Sequence, residues 1–158
     1  GMIMTVDKGS FSGHVGTDVS FHRLYSPSAP HTTVKETRDC KSCHTDPSTL
    51  GYGNGLLTYD TTNGKGVWIF TPEYAQNPND GLPEDAWVPF LKALAKEVNY
   101  STRTNFRPFN LNEQKQMLLV GACLQCHKDN SEVMQLSLEH GIASVLKNKD
   151  AACILPIQ

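Results

Sequence analysis

Two short segments of the chain combine cysteine and histidine at a spacing that suits one chemistry. Residues 40–44 read CKSCH, and residues 123–127 read CLQCH. Both match C-x-x-C-H, the attachment signature of c-type haem. Two thiols three positions apart lie near one helical face, where they can form thioethers with the two haem vinyl groups, and the adjacent histidine can ligate the iron. The sequence therefore predicts two covalent haem c groups as cofactors. The predicted attachment cysteines and proximal iron ligands are Cys40, Cys43, His44, Cys123, Cys126 and His127.

Three other uses of paired cysteines compete with haem attachment. A zinc ribbon usually has about 15–20 residues between its two C-x-x-C pairs, whereas 79 residues lie between Cys43 and Cys123. A thioredoxin-like redox motif is expected beside a βαβ unit, and the sequence shows no such unit. Disulfides would leave the two histidines that follow the cysteines unexplained. Haem attachment is the interpretation that uses all six residues.

The segment around the first motif extends this interpretation. Residues 13–55 read GHVGTDVSFHRLYSPSAPHTTVKETRDCKSCHTDPSTLGYGNG. The run FHR…HT…RDCxSCH…GxG resembles segments of the periplasmic multihaem c-type cytochromes, and it covers about a quarter of the chain. The resemblance implies an electron-transfer protein whose haems are attached outside the bacterial cytoplasm. It also implies a ligand-type histidine at His31, nine residues before Cys40.

Each predicted haem also needs a second axial ligand, and histidines are the better candidates. Met117 lies within an apolar run that favours core packing, and Met134 follows His127 too closely to reach the other face of the same haem. We therefore expect bis-histidine ligation at both haems. His31 is the first candidate for a distal ligand, and His22 is the second. The haem that each would serve is left open, as are His14 and His140 as alternative ligands.

The elements that must position these residues are short. The capping pattern of residues 33–36 predicts a helix that runs into the first motif, and apolar spacing predicts a second helix over residues 90–98. Asn110, with Glu113 three residues later, predicts the start of a helix that delivers the second motif. Ser131 is expected to cap a last helix, which Gly141 interrupts. Residues 56–59 and 67–70 predict a hairpin, with Asn63-Gly64 in its turn.

These elements indicate one dihaem cytochrome c domain over residues 1–158. The expected fold class is mainly α with extensive coil, in which a few short helices surround two covalent haems. Residues 1–30 are expected to form an extended arm over haem, and residues 56–70 a hairpin insert. Leu, Ile, Val and Phe number 36 of 158 residues, about 23%, which is near the roughly 20% below which chains tend to be disordered. Two apolar macrocycles would supply the missing core, so we expect the apoprotein to fold poorly.

The composition and the charge of the chain limit which partners and which compartment we expect. The net charge of −2 argues against a nucleic-acid partner, which normally requires a basic face. No run of about 18 apolar residues exists that could span a membrane. No signal peptide is visible in the opening residues, so we expect it to be omitted, or the chain to be one part of a larger multihaem protein. The expected partners are redox proteins of the periplasm, or of another extracytoplasmic compartment.

The predicted function is electron transfer by two low-potential haems in a periplasmic respiratory chain. An electron carrier is favoured over an enzyme because no acid–base pair accompanies either motif. Two alternatives stay open: a haem enzyme that reduces peroxide or a nitrogen oxide at one open haem, and a haem-based sensor module. Cys153 is the odd cysteine. Its default interpretation is an inert buried thiol, and an intermolecular disulfide is the alternative.

Overall fold

The structure, a computed structural model, describes residues 2–7, 19–24, 35, 37–93, 99–100 and 106–157. The strands of this part are, in chain order, β1 (Met2–Asp7), β2 (Val19–Leu24), β3 (Gly55–Asp60), β4 (Val67–Pro72) and β5 (Asn99–Tyr100). They form a three-stranded sheet in the order β1-β2-β5 and a separate two-stranded sheet of β3 and β4. In the first sheet β2 pairs antiparallel with β1 and parallel with β5.

The two-stranded sheet is the predicted hairpin. β3 and β4 pair antiparallel in a register that places Leu57 opposite Phe70 and Tyr59 opposite Trp68. Gly64 in the turn has a φ of 66°, a left-handed conformation that glycine adopts without a steric penalty. The prediction of a hairpin between residues 56 and 70 is therefore confirmed. The rings of Tyr59 and Trp68 contact each other across the strands, with 4.8 Å between their centroids.

The helices of the described residues are α1 (Cys40–His44), α2 (Pro47–Leu50), α3 (Leu111–Cys123), α4 (Glu132–His140) and α5 (Ile142–Leu146). The longest is α3, which begins as predicted. The Asn110 side chain accepts a hydrogen bond from the Glu113 backbone N–H, and the Glu113 carboxylate accepts one from the Asn110 backbone N–H. This reciprocal capping box satisfies N–H groups that the first helical turn leaves unpaired. Within the described residues, no helix has the length and apolar character that crossing a membrane requires.

The expectation of a mainly α fold is wrong, because the protein is 31% helical and 20% strand. Part of the segment expected as an extended arm, residues 2–7 and 19–24, forms paired strands instead. The helix predicted over residues 90–98 is absent from its described part, residues 90–93. Leu91 there has a φ of 48°, which lies outside the right-handed helical region, and its N–H donates to Oε1 of Gln114 at 3.1 Å. The Leu91 N–H thus bonds to a side chain of α3.

Two further boundaries differ from the predictions. The helix at the first motif begins at Cys40, where Asp39 accepts a hydrogen bond from Ser42 N–H. Residues 33, 34 and 36 of the expected earlier start lie outside the described residues, and the described residues 35 and 37–39 are not helical, so the prediction is wrong there. The last helix is split into α4 and α5 by Gly141, whose φ of 80° and ψ of 148° no helix can continue through. Ser131 stands at the N-cap of α4 as expected, but its side chain makes no capping hydrogen bond. Of the apolar side predicted for these helices, Met134 is buried, whereas Leu136 and Leu138 are exposed, so that prediction is only partly correct.

The core of the described residues consists of two clusters on either side of α3. The larger cluster lies between the hairpin and α3, and Trp68 anchors it by donating its indole N–H to the carbonyl of Leu118 at 3.0 Å. Its buried members are Leu50, Tyr52, Trp68, Val88, Leu118 and Ala122. The smaller cluster contains Cys123, Leu124 and Met134, with Cys40 packed against it. Helix α3 therefore contributes buried residues to both clusters.

The buried Arg23 connects β2 to the loop that precedes Pro89. Its guanidinium forms an ion pair with Asp80, in which Nη2 lies 2.9 Å from Oδ1, and it also donates to the carbonyls of Glu84 and Ala86. A buried arginine with this many partners fixes the position of its strand. His22, the neighbouring residue on β2, is therefore carried by an anchored strand.

Candidate haem-attachment site

The first motif occupies the whole of α1. Asp39 caps this helix, and the backbone N–H of Cys40 donates to Oδ2 of Asp129 at 2.8 Å. Asp129 lies two residues after the second motif, so a residue beside one motif satisfies the backbone of the other. Cys40, Cys43 and His44 are all half-buried. The short helix therefore presents two thiols and an imidazole from one rigid turn.

The His44 ring is oriented by a single hydrogen bond. Its Nδ1 lies 3.0 Å from the carbonyl oxygen of Met117 on α3. Because a carbonyl oxygen only accepts hydrogen bonds, Nδ1 carries the ring proton and Nε2 of the neutral imidazole keeps its lone pair. Metal-ligating histidines almost always donate their other ring N–H in this way, often to a backbone carbonyl. His44 thus has the tautomer and the anchoring expected of an iron ligand.

A glycine allows α1 to approach α3 this closely. A Cβ placed on Gly121 would lie 2.7 Å from the carbonyl oxygen of His44 and 3.3 Å from the Trp68 ring. The first distance is shorter than any ordinary van der Waals contact, so no larger residue fits without a backbone shift. Gly121 lies one turn after Met117 on α3. The same face of the helix therefore receives the His44 hydrogen bond and leaves space for the His44 backbone.

The second motif begins at the last residue of α3 and continues into a turn. The N–H of His127 donates to the carbonyl of Cys123 at 2.9 Å, and that of Cys126 donates to the same carbonyl at 3.2 Å. Cys123 is buried, with 8% of its surface exposed, whereas Cys126 is exposed and His127 is half-buried. The helix end thus buries one of the two cysteines and leaves the other exposed.

A cavity of about 460 Å³ lies against the second motif. One wall is formed by Cys123, Cys126 and His127, and the facing walls are formed by Tyr59 of the hairpin and by the chain segment 150–155. This volume falls within the usual range of cofactor pockets, about 300–1,000 Å³. Its mostly apolar lining and the three motif side chains on one wall fit a flat apolar macrocycle that is attached through thiols and ligated by an imidazole.

Burial raises the pKa of the first cysteine of each motif. Burial raises the pKa of the Cys123 thiol, and the nearby Cys153 raises it further. Burial also raises the pKa of the Cys40 thiol, with the charge of Asp129 as the next cause. Reactive redox cysteines depend on a lowered pKa, which supplies the thiolate at neutral pH. These two sites are therefore unlike those of a thioredoxin-type oxidoreductase.

The structure brings the two motifs together, which the sequence did not predict. Cys40 packs against the cluster of Cys123, Leu124 and Met134, and Asp129 connects the two motifs through its hydrogen bond to Cys40. Three contributions have no signature in the sequence: the Met117 carbonyl, the Asp129 carboxylate and the tail that covers the second motif. Their roles depend on tertiary contacts, so only the structure identifies them.

Of the four histidines considered as distal ligands, two lie within the described residues. His31 and His14 lie outside the described residues. His22 is half-buried on β2, and His140 is exposed at the end of α4, where its Nε2 lies 3.7 Å from Glu139. Among the described residues, no three His, Cys, Asp or Glu side chains are grouped so that they could hold a metal ion by themselves.

Comparison with known proteins adds no family to this description. No protein-family model matches the chain, and neither a curated protein nor a solved structure is similar to it. The functional argument therefore depends on the two motifs and on the geometry that surrounds them.

Proposed function

We propose that the protein transfers electrons through two covalently attached haem c groups, one at each C-x-x-C-H motif. The hydrogen bond from His44 Nδ1 to the Met117 carbonyl carries the proposal, because it leaves Nε2 available for iron. Its acceptor lies on α3, whose last residue begins the second motif. The cavity beside Cys123, Cys126 and His127 supports it independently. Bound haem would supply one-electron redox chemistry, which the side chains of this protein do not provide.

The cysteines and the histidines of the two motifs have different roles in this proposal. Cys40, Cys43, Cys123 and Cys126 form the thioether attachments. His44 and His127 are the proximal ligands, and the Met117 carbonyl and Gly121 position His44. His31 and His22 stay the predicted distal ligands.

The separation of the two motifs suits electron transfer between them. Met117, which binds His44, and Cys123, which begins the second motif, are six residues apart on α3. At a rise of 1.5 Å per residue this is about 9 Å of helix. A single rigid helix thus fixes both attachment points close together, and redox partner proteins of an extracytoplasmic compartment would deliver and collect the electrons.

A spectroscopic redox titration tests the proposal. The chain is matured in a bacterial periplasm that attaches haem c, and its visible spectrum is recorded while the potential is lowered and raised again. We expect two reversible one-electron steps at low potential and low-spin bands in both redox states. Rapid carbon monoxide binding by the native protein would contradict the carrier function and would favour a small-molecule reductase.

The distal ligands are tested by single substitutions in the same protein. His31→Ala and His22→Ala are compared with His140→Ala, which removes an exposed histidine from a helix end. A distal ligand is identified when its loss converts one haem from low spin to high spin, while His140→Ala leaves both haems unchanged. If His31→Ala and His22→Ala both leave the spectrum unaltered, the distal assignment is wrong.

A further inference from the structure

The cavity beside the second motif contains a third cysteine. Cys153 lines the same space as Cys123, Cys126 and His127. It is the cysteine that neither attachment motif uses, and its thiol forms no disulfide. Four side chains that can ligate a metal or attach haem therefore face one cavity, although the C-x-x-C-H motif accounts for three of them.

Cys153 is held on both sides by hydrogen bonds. Before it, a turn is closed by the bond from Cys153 N–H to the Asp150 carbonyl at 3.0 Å. After it, the Tyr59 hydroxyl donates to the carbonyl of Ile154 at 2.9 Å. The N–H of Ile157 also donates to the carbonyl of Gly66 at 2.9 Å. The hairpin thus holds the tail in place as part of the cavity wall.

The other polar side chains of the tail and hairpin walls are less suited to binding iron. The Tyr59 hydroxyl is engaged with Ile154, and burial, then the nearby Cys153, raises its pKa, which opposes the phenolate form. Asp150 uses Oδ1 to accept the Ala152 N–H at 2.8 Å. Among the described residues that line this cavity, the histidine is His127 alone. Thr61, the remaining polar side chain of these walls, offers only a hydroxyl. Cys153 therefore provides the soft sulfur ligand of these walls for an iron that His127 binds.

We propose that the sulfur of Cys153 is the second axial ligand of the haem iron attached at the second motif, with His127 as the first. This inference rests on the proposed function. On ligation the Cys153 S–H bond breaks, an iron–sulfur bond forms, and the proton passes to solvent, as happens when a metal binds a thiol. The assignment replaces one of the two distal histidines expected from the sequence, and only the first haem then needs His31 or His22.

With Cys153 as a ligand, the two haems would differ in their axial ligands and in their reduction potentials. A thiolate donates more electron density to iron than an imidazole does, and axial ligand identity is a main determinant of haem potential. The haem at the second motif would therefore have the lower potential of the pair. Electrons would flow in a preferred direction, from the second motif to the first.

The proposal is tested on the intact dihaem protein in its ferric state. Near-infrared magnetic circular dichroism and iron X-ray absorption distinguish thiolate from imidazole ligation without any substitution. We expect one thiolate-ligated haem of the two, and an iron–sulfur contribution at half occupancy per iron. Two bis-imidazole haems would overturn the proposal and leave the proposed function intact. A chain without attached haem would overturn both.

Two substitutions locate the sulfur, and a third serves as a control. Cys153→Ala should abolish the thiolate signal and convert the second haem to a high-spin form that binds added imidazole. Cys153→Met should keep that haem six-coordinate with a thioether ligand and raise its potential. Lys149→Ala removes an exposed side chain that lies outside the cavity lining and should leave both spectra unchanged. A thiolate signal that persists in Cys153→Ala would overturn the assignment.

Discussion

The two C-x-x-C-H motifs share one pattern but are held in different ways. The first forms a capped helix whose histidine is anchored to the carbonyl of Met117 and whose first N–H is anchored to Asp129. The second begins where α3 ends, with Cys123 buried and Cys126 exposed, and its surroundings come from the hairpin and the tail. Helix α3 thus supports both motifs, and the hairpin and the tail add the surroundings of the second.

This difference teaches that two segments with the same five-residue pattern can be held in different environments. At the first motif a backbone carbonyl orients the His44 ring. At the second motif, hydrogen bonds to Tyr59 and Gly66 hold the tail, residues 150–157, so that Cys153 lines the cavity. Substitutions in α3 should therefore affect the first motif most, and substitutions in the hairpin should affect the second.

The largest effect is expected from Gly121→Val. The new side chain would collide with the His44 carbonyl and the Trp68 ring, so α1 must move away from α3. Overpacking of this kind typically lowers the free energy of unfolding by about 1–3 kcal/mol, and we expect the upper part of that range. Chemical denaturation measures the loss. Asn112→Ala, at an exposed position of the same helix, is the control and should be nearly neutral. Equal stability of Gly121→Val and the wild type would contradict the close approach of α1.

Removing the Asp129 carboxylate should have a smaller effect, again at the first motif. Asp129→Ala leaves the Cys40 N–H without its charged acceptor, and hydrogen bonds to charged groups contribute about 1.5–3 kcal/mol to stability. Since this one is only partly buried, we expect the lower end. Asp129→Asn keeps an acceptor oxygen and should recover part of the loss in the same denaturation measurement. If the alanine and asparagine variants are equally stable, the bond does not support α1.

Tyr59→Phe should act on the second motif instead. It removes the hydroxyl that donates to the Ile154 carbonyl, a neutral hydrogen bond that contributes about 0.5–1.5 kcal/mol. Hydrogen exchange should show faster exchange in residues 150–157 and little change in α1. Tyr74→Phe removes a hydroxyl from an exposed tyrosine and serves as the control. Faster exchange in α1 than in the tail would contradict the separate support of the two motifs.

The smallest effect is expected at Glu113, at the start of the helix that both motifs share. Hydrogen bonds from Arg107, followed by that from the Asn110 backbone, lower the pKa of its carboxyl to about 2. A carboxyl whose pKa is lower in the folded state contributes stability above its unfolded pKa, and this contribution disappears as the pH falls through the folded pKa. The melting temperature of the wild type should therefore exceed that of Glu113→Gln at pH 6. The difference should shrink below about pH 4.5 and vanish near pH 2. A difference that does not change with pH would contradict the lowered pKa.

The sequence predicts the local features of this protein better than their arrangement. The capping box of Asn110 and Glu113 and the hairpin turn at Gly64 are determined by neighbouring residues, and both are confirmed. The helix expected after Pro89 is wrong because Leu91 takes a left-handed conformation and bonds to Gln114, 23 residues away. The pairing of β1 with β2 and the bond from His44 to the Met117 carbonyl likewise depend on contacts between distant segments. A backbone carbonyl also has no signature in the amino-acid sequence.

The central claim is that each motif attaches one haem, and intact-mass spectrometry of periplasmically matured protein tests it most directly. The wild type is compared with two double variants, Cys40→Ala with Cys43→Ala, and Cys123→Ala with Cys126→Ala. The account predicts the mass of the chain plus two haem groups for the wild type and plus one for each variant, with the remaining haem found on the peptide of the intact motif. A wild-type mass without covalent haem, or one that falls short of two groups, would contradict it.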